Sequence, residues 1–263
     1  CLERADPLDD PMTGSRNAAE DPGAVLVVGA GAGGMMAAGR AAEDGVPVLL
    51  LEKMDTPGRK IMISGKTRCN LTNQKPLEDF IGMYGRNGRF LHRAFRAFFR
   101  DDLLALLKRH GVETKTERGG RIFPVSDRSG DVVQALLQYS AGQGAVLRTQ
   151  TRVRGILVRN GRVRGVQTDG GPIPGRAVIL ATGGATYPGT GSSGDGYEML
   201  RKLGHTIVAI RPSLVPLVVE ETKRARSMQG VSLRNIRLTA FRCPAKNIDD
   251  ARVPREEAGR GIR

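Results

Sequence analysis

Aromatic residues make up only 4% of the 263-residue chain. No apolar run approaches the roughly 18–20 residues that a membrane-spanning helix needs, so a globular chain with no membrane segment is expected. There are three cysteines, Cys1, Cys69 and Cys243, far apart and without a CxxC pair. That spacing argues against a disulfide framework or a zinc site and favours a reducing cytoplasm, with no metal expected. Residues 1–23 lack a basic start followed by an apolar core, so they do not read as a secretory signal. They are acidic and proline-bearing, and a disordered tail is expected there. Cys1 in place of a starting Met suggests a fragment.

What the chain has in excess is positive charge. The formal net charge is +14; the first 23 residues carry −4, leaving +18 on residues 24–263. Such a balance invites a nucleic-acid reading. Against it, the arginines are spread along the chain, aromatics are scarce, and no known nucleic-acid motif is present. No nucleic-acid partner is therefore expected.

Apolar runs organise the first part of the chain. AVLVV at 24–28 ends in glycine and reads as a buried strand; VPVLLLEK at 46–53 reads as a second. Between them, small residues and helix formers run up to Gly45. The unit of about thirty residues has the length of a parallel strand–helix–strand crossover. Residues 74–88 look like loop. The spacing of Leu91, Phe95, Phe98, Phe99, Leu103, Leu106 and Leu107 predicts the longest amphipathic helix over 89–110, ended by Gly111. A second helix is predicted over 131–141, entered through Ser129. An alternating stretch from Gly144 carries Asn160–Gly161, a hairpin signal. RAVILATGG at 176–184 reads as another buried strand breaking into glycines, and DGYEMLRKLGH at 195–205 as a short helix. From residue 206 the chain reads as β-rich segments punctuated by prolines.

Gly29, Gly31 and Gly34 fit G-x-G-x-x-G, a weak match by itself. Here it follows a strand, opens a helix, and is answered by Glu52 at the end of the next strand, 23 residues after Gly29. The first glycine permits the tight turn, the second lets a pyrophosphate approach the backbone, and the third lets helix and strand pack closely. The helix N-terminus offers unpaired N–H groups to phosphate. Glu52 can accept hydrogen bonds from ribose hydroxyls and disfavours a 2′-phosphate. These residues alone leave FAD and NAD both open.

Four blocks go further: VVGAGAGGMMAA with LLEK, GRKIMISGKTRCNLTN, GRIFPVSD, and ATGGATYPGTGSSGDGYEMLRKLGH followed by PSLVPL. Through them the chain, over roughly residues 24–245, resembles a bacterial family of NAD(P)/FAD-dependent flavoproteins. Its members are described as aminoacetone-oxidase-like or as 3-dehydro-bile-acid reductases. The resemblance implies an α/β fold: a glutathione-reductase-type FAD-binding domain with a Rossmann-like βαβ unit, a helical excursion and the start of an inserted β-rich domain. The implied divisions are a tail at 1–23, the N-terminal part of the FAD domain at 24–204 with its helical segment at 75–141, and the inserted domain from 205 to 263, truncated there. Family members run longer, so the chain itself would be an inactive piece of an active enzyme.

The implied cofactor is FAD, lying across Gly29, Gly31, Ala32, Gly33 and Gly34, with its ribose on Glu52 and Lys53 beside it. In the loop at 58–73, Gly58 and Gly65 would let backbone approach the cofactor. Arg59, Lys60 and Arg68 would offset charge near the pyrophosphate. Ser64, Asn70, Thr72 and Asn73 would bond ribityl hydroxyls or flavin heteroatoms. Val153 matches a position that faces the adenine, and Thr182 and Gly183 lie in the strand-end signature that returns the chain to the cofactor.

Other candidates have plainer readings. Cys69 lacks a nearby second cysteine and reads as a buried small apolar residue. Gly189, Gly191 and Gly194 form a second G-x-G-x-x-G, but its strand ends eight residues earlier, so a loop near the FAD is expected rather than a second nucleotide site. His205, one of three histidines, sits in a helix-end pattern where capping suffices, and Tyr187 is similarly placed. No acid or base can be named. The expected activity is FAD-dependent oxidoreduction, with NAD(P)H or a small organic substrate as electron donor and a small-molecule substrate as partner. The alternatives are an NAD-dependent dehydrogenase on the same fold, which no His or Tyr–Lys pair supports, or a basic module associated with RNA or membrane.

Overall fold

A computed structural model describes residues 21–212, 221–231, 240–241 and 255–256. The chain folds as two units, one up to Val208 and one from Ala209 onward.

In the first unit, strand β1 (Val25–Val28) leads into helix α1 (Ala32–Glu43) and strand β2 (Val48–Leu51). Helix α2 (Arg59–Ile63) and strand β3 (Thr72–Asn73) follow. Then come α3 (Leu77–Gly82), a 3-10 turn at Gly85–Leu91, α4 (His92–Ala97) and α5 (Arg100–Arg109). Strands β4 (Thr114–Glu117) and β5 (Arg121–Pro124) precede α6 (Ser129–Gly142) and β6 (Val146–Arg148). A meander of β7 (Val153–Arg159), β8 (Arg162–Thr168) and β9 (Gly171–Pro174) leads to β10 (Ala177–Leu180) and α7 (Asp195–Lys202).

The central sheet is parallel, in the order β10-β1-β2-β6. Side chains alternate across it. Val25, Val27, Val48 and Leu50 enter one core with Met35, Leu107 and Leu136. Leu26, Val28, Leu49 and Leu51 enter the other with Val153, Val166 and Met199. Both faces being covered, β1 and β2 are apolar without interruption. The strand–helix–strand unit and the strand at 177–180 are where the sequence puts them. β10 is not a buried strand, however: among the described residues it pairs only with β1, and Ile179 is 37% exposed at the edge.

Helices α1 and α6 meet at Gly39, where an added Cβ would lie 2.3 Å from the Tyr139 ring. The Tyr139 hydroxyl donates to Glu43 Oε1 at 2.8 Å. Burial first, then that hydrogen bond, pushes the phenol's pKa up to about 12. Asn160 (φ +52°) and Gly161 (φ +70°) form the two-residue turn between β7 and β8, the left-handed pair a tight hairpin needs.

Three expectations are corrected. The helix predicted over 89–110 is broken: Phe98 is extended (φ −155°, ψ 113°), and α5 starts afresh at Arg100. The cause lies in Arg100–Asp101–Asp102: Asp102 Oδ2 accepts from the Phe99 N–H at 2.8 Å, a capping contact that favours a new N-terminus over continuation. The longest helix described is instead α6. Residues 74–88 are not loop; they hold α3 and the start of the 3-10 turn.

In the unit from Ala209 onward the described residues include helix α8 (Thr222–Ser227) and an antiparallel pair of β11 (Ala240–Phe241) and β12 (Arg255–Glu256). Residues 1–20 of the disordered tail expected at 1–23, and most of the β-rich region, lie outside the described residues, while at 21–23 the Gly23 N–H donates to Asp21 Oδ1 at 2.7 Å.

Candidate functional site

The turn between β1 and α1 separates its glycines into two kinds. Gly29 holds φ +101°, and a Cβ there would stand 2.6 Å from the Ala181 carbonyl oxygen. At Gly34 a Cβ would stand 1.8 Å from the Gly29 carbonyl oxygen, so close packing of helix on strand demands glycine. Gly31 and Gly33 have no such reason. No other side chain or distant backbone comes within 4 Å of where their Cβ atoms would be. Gly31 is the N-cap of α1, with an ordinary φ of −83°, no capping side chain, and no acid in the first helical turn. The result is open space in front of uncapped helix N–H groups.

Glu52, just past β2, faces this turn. Its Oε2 accepts from the Ala30 N–H at 2.7 Å and its Oε1 from the Met54 N–H at 2.9 Å. The carboxylate is thereby fixed in orientation on the wall of the cleft. Lys53 donates to Ser193 Oγ at 2.6 Å and to Asp195 Oδ2 at 2.8 Å. Arg152 lies 3.6 Å from the same carboxylate. Burial works to raise the Asp195 pKa, but the Lys53 and Ser193 hydrogen bonds and the two positive charges outweigh it and hold the carboxyl below its ordinary range.

The loop at 58–73 closes one side. Gly58 (φ +70°) donates its N–H to the Ala30 carbonyl at 2.8 Å and opens α2, whose five residues are too few to show a period in the sequence. After Ser64 the chain turns through Gly65, Lys66, Thr67 and Cys69, all with positive φ. Such residues other than glycine cost about 1 kcal/mol each, and the strain is held by neighbours. The Cys69 N–H donates to Ser64 O at 3.1 Å, and the Ser129 N–H to Thr67 O at 2.9 Å. Cys69 is buried, and burial raises its pKa against a weaker opposing hydrogen bond to Ser64, which suits a protonated structural thiol.

The two basic residues of α2 reach across the cleft. Lys60 Nζ donates to the Thr186 carbonyl at 2.9 Å, and Arg59 to the Gly189 carbonyl at 3.4 Å. The second glycine motif therefore lies over the same cleft, where Thr190, Gly191 and Ser192 line it.

A cavity of about 600 Å³ joins these parts. From the glycine turn it is lined by Gly29, Gly31, Ala32 and Gly33, and from the β2 end by Glu52 and Lys53. Gly58, Arg59, Lys60, Ser64 and Asn70 line it from the loop, and Val153, Thr182 and Gly183 from the opposite wall. Five sequence candidates do not reach it. Gly34 packs helix on strand. Gly65 shapes the strained turn. Thr72 pairs with Ile122 in β5, and its neighbour Asn73 donates to the Gly119 carbonyl at 2.8 Å. Arg68, expected to offset cofactor charge, is instead paired with Glu117 and Asp127 and stacked over Phe123, its guanidinium 4.4 Å from the ring centre. Its partners are 49 and 59 residues away, beyond the reach of local reading.

The cleft also has lining residues that the sequence reading passed over: Thr56, Thr151, Thr190, Ser192, Asp195 and Met199. The last four fall in or after the second glycine motif, which was the available signal. His205 and Tyr187 do not line the cavity. The N–H groups of Gly204 and His205 close the end of α7 on Arg201 and Leu200 at 3.0 and 3.1 Å, a helix-terminating motif.

A parallel crossover with an uncapped glycine turn, answered by a fixed acid at the end of the second strand, defines a dinucleotide-binding domain of the Rossmann type. Over residues 23–246, most of its length, the chain matches the HI0933-like protein Rossmann domain, and it belongs to that family. It is 35% identical over 204 residues to the 3-dehydro-bile acid delta(4,6)-reductase of Clostridium scindens, covering 76% of this chain and 49% of the relative. It is 29% identical over 214 residues to the ribosomal RNA dihydrouridine synthase of Escherichia coli, covering 80% and 52%. The chain thus spans about half the length of the curated relatives it matches. Among solved structures, a flavocytochrome c3 fumarate reductase in its open conformation shares the fold, with a TM-score of 0.52 and 24% identity over 69% of this chain and 40% of that one. Among the described residues no helix is long and apolar enough to cross a membrane.

Proposed function

We propose that this chain is the FAD-binding part of an oxidoreductase. The observation that carries the reading is the open space at Gly31 and Gly33: two glycines that neither backbone strain nor protein packing requires, set before uncapped helix N–H groups and a fixed carboxylate. A pyrophosphate is the ligand that fits this arrangement. The cavity size falls within the range of cofactor sites.

In this reading the first turn of α1 donates to the pyrophosphate and Glu52 accepts from the adenosine ribose. Val153 sits against the adenine. Gly58, Ser64 and Asn70 approach the ribityl chain and flavin, and Arg59 and Lys60 hold the facing loop while adding positive potential. Thr182 and Gly183 form the return edge. FAD when bound would supply hydride transfer; the chain's own residues bind it, orient it and shield it from water. NAD(P)H is the proposed reductant. Residues 24–204 belong to the FAD domain and 205–263 begin the inserted one. The names of the two relatives above both describe reductions, one of a steroid and one of an RNA base, and so leave two substrate classes for the whole enzyme. The buried unpaired thiol of Cys69 suits a cytoplasmic setting.

Purified protein tests this directly. Bound flavin gives a yellow colour and an absorbance band released on denaturation. A colourless protein that binds NADH but not FAD in calorimetry would replace the reading with an NAD-dependent one.

A further inference from the structure

The chain's few aromatic residues are not evenly spread. Of seven Phe and four Tyr, six fall within residues 80–99, in the excursion formed by α3, the 3-10 turn and α4. Its two ends are clasped together by Arg100, which donates to the Gln74 and Lys75 carbonyls at 2.8 and 3.3 Å. Inside, Phe80 packs edge-on to Phe95 and to Phe99, at ring separations of 5.4 Å each, and Gly88 lets the turn pass close to Ile81.

That packing leaves a distinct outer surface. Phe90 is 88% exposed and Tyr84 50%. Beside them Arg86, Arg89, Arg93 and Arg96 recur at spacings of three and four, which place successive residues on neighbouring turns of the 3-10 and α segments. All four are exposed, and among the described residues none of them has an ion-pair or hydrogen-bond partner for its side chain. The acids on the excursion are Glu78 and Asp79; Glu78 faces His92 at 3.4 Å. Elsewhere on the chain many arginines are paired, as Arg68, Arg100, Arg128, Arg154 and Arg201 are.

We infer that this excursion is a docking face for a single-stranded nucleic-acid segment, with the arginine row on its phosphates and Phe90 and Tyr84 stacking on unpaired bases. Guanidinium groups suit phosphate better than ammonium groups do, and exposed rings alternating with cations are the recurrent platform for unstacked bases. An anionic membrane is the weaker fit. The helical pieces are of six and seven residues, too short for an interfacial helix, and the rings of Phe80, Phe95 and Phe99 are turned onto one another, which leaves Met83, Phe90 and Phe98 as the exposed apolar side chains. The inference goes beyond the flavin reading and does not depend on it.

The test titrates the full chain, without added flavin, against a fluorescent RNA of about 20 nucleotides and mixed sequence, the same sequence in DNA, its RNA duplex, and vesicles rich in phosphatidylglycerol. Two charge-matched variants are compared: R86A/R89A/R93A/R96A on the excursion, and R148A/R159A/R162A/R164A on the strands. Circular dichroism confirms that both fold. The single strands should bind more tightly than the duplex. The excursion variant should lose binding, and the slope of log K against log salt should fall by about 3, near 0.7 for each phosphate contact. Phe90→Ala should weaken binding about tenfold without changing that slope. RNA and DNA arms then show which sugar is preferred. Equal losses in the two quadruple variants, indifference to Phe90→Ala, or binding to vesicles alone would overturn the inference. None of these outcomes bears on flavin occupancy.

Discussion

Glu52 Oε2 accepts a hydrogen bond from the Ala30 amide at 2.7 Å, which ties the carboxylate at the end of β2 to the glycine turn at the end of β1. The same side chain takes the Met54 amide on its other oxygen. The contact makes the acid a brace for the turn as well as a candidate ribose ligand.

Glu52→Gln separates those roles poorly but measurably. The amide must turn its NH2 toward one of two N–H donors, so one backbone hydrogen bond is lost at a cost of about 1–2 kcal/mol in stability. FAD affinity is expected to fall about tenfold, the loss of one ribose contact. Chemical denaturation and calorimetric titration read the two effects independently.

The two kinds of glycine predict opposite outcomes. Gly31→Asp introduces a favoured N-cap residue where no side chain caps α1, so stability is held or gained by about 0.3 kcal/mol, glycine itself being a tolerable cap. The same carboxylate stands where the pyrophosphate would lie, and FAD affinity should drop by about 100-fold or more, about 2.7 kcal/mol. Gly34→Ala, by contrast, drives a methyl group into the Gly29 carbonyl and should cost about 3 kcal/mol in stability. Unchanged flavin occupancy in Gly31→Asp would remove the placement proposed above.

Asp195 predicts an acid limit. Its pKa is held low in the folded chain, so the stability it contributes is present above the unfolded value of about 3.9 and is lost as pH falls through the folded value. Flavin release measured against pH should rise in that acid window. Asp195→Asn should remove that acid-dependent phase, because an amide does not titrate and Lys53 and Arg152 then face a neutral partner at every pH.

Tyr139 sets the corresponding limit at high pH. A phenol raised from 10.0 to about 12 favours the neutral form in the folded state. The associated stability is complete below pH 10 and is lost as pH rises toward 12. Ultraviolet titration should show a late tyrosinate phase that Tyr139→Phe abolishes.

Arg68→Ala should lower the thermal midpoint, since it removes one of the two cationic partners of Glu117 and of Asp127, leaving them Arg121 and Lys115, and removes the closer of the two guanidinium groups over the Phe123 ring. Flavin affinity should be unchanged, because the guanidinium lies outside the cleft.

Much of the central architecture was legible because its causes are local. Val25–Val28 and Val48–Leu51 are apolar on both faces, Asn160–Gly161 suits one turn, and the first glycine motif sits where a strand ends. What escaped depended on distance or on competition. The break at Phe98 turns on Asp102 capping a new helix, a contest that hydrophobic spacing does not register. Arg68 looked like a cofactor ligand because it stands among true cleft residues, yet distant acids claim it. The second glycine pattern reads from sequence as a loop near the cofactor, but that Thr190 and Ser192 are the residues facing the cleft depends on Lys60 holding that loop across it.

The bare space before Gly31 has a consequence for how damage there would be noticed. Cellular quality control senses misfolding, through exposed apolar surface and protease access. A lesion that leaves helix and sheet intact would escape that surveillance. Cells carrying it would accumulate a normal amount of well-formed protein with nothing in its grasp, and only an assay of occupancy, never one of abundance, would reveal the loss.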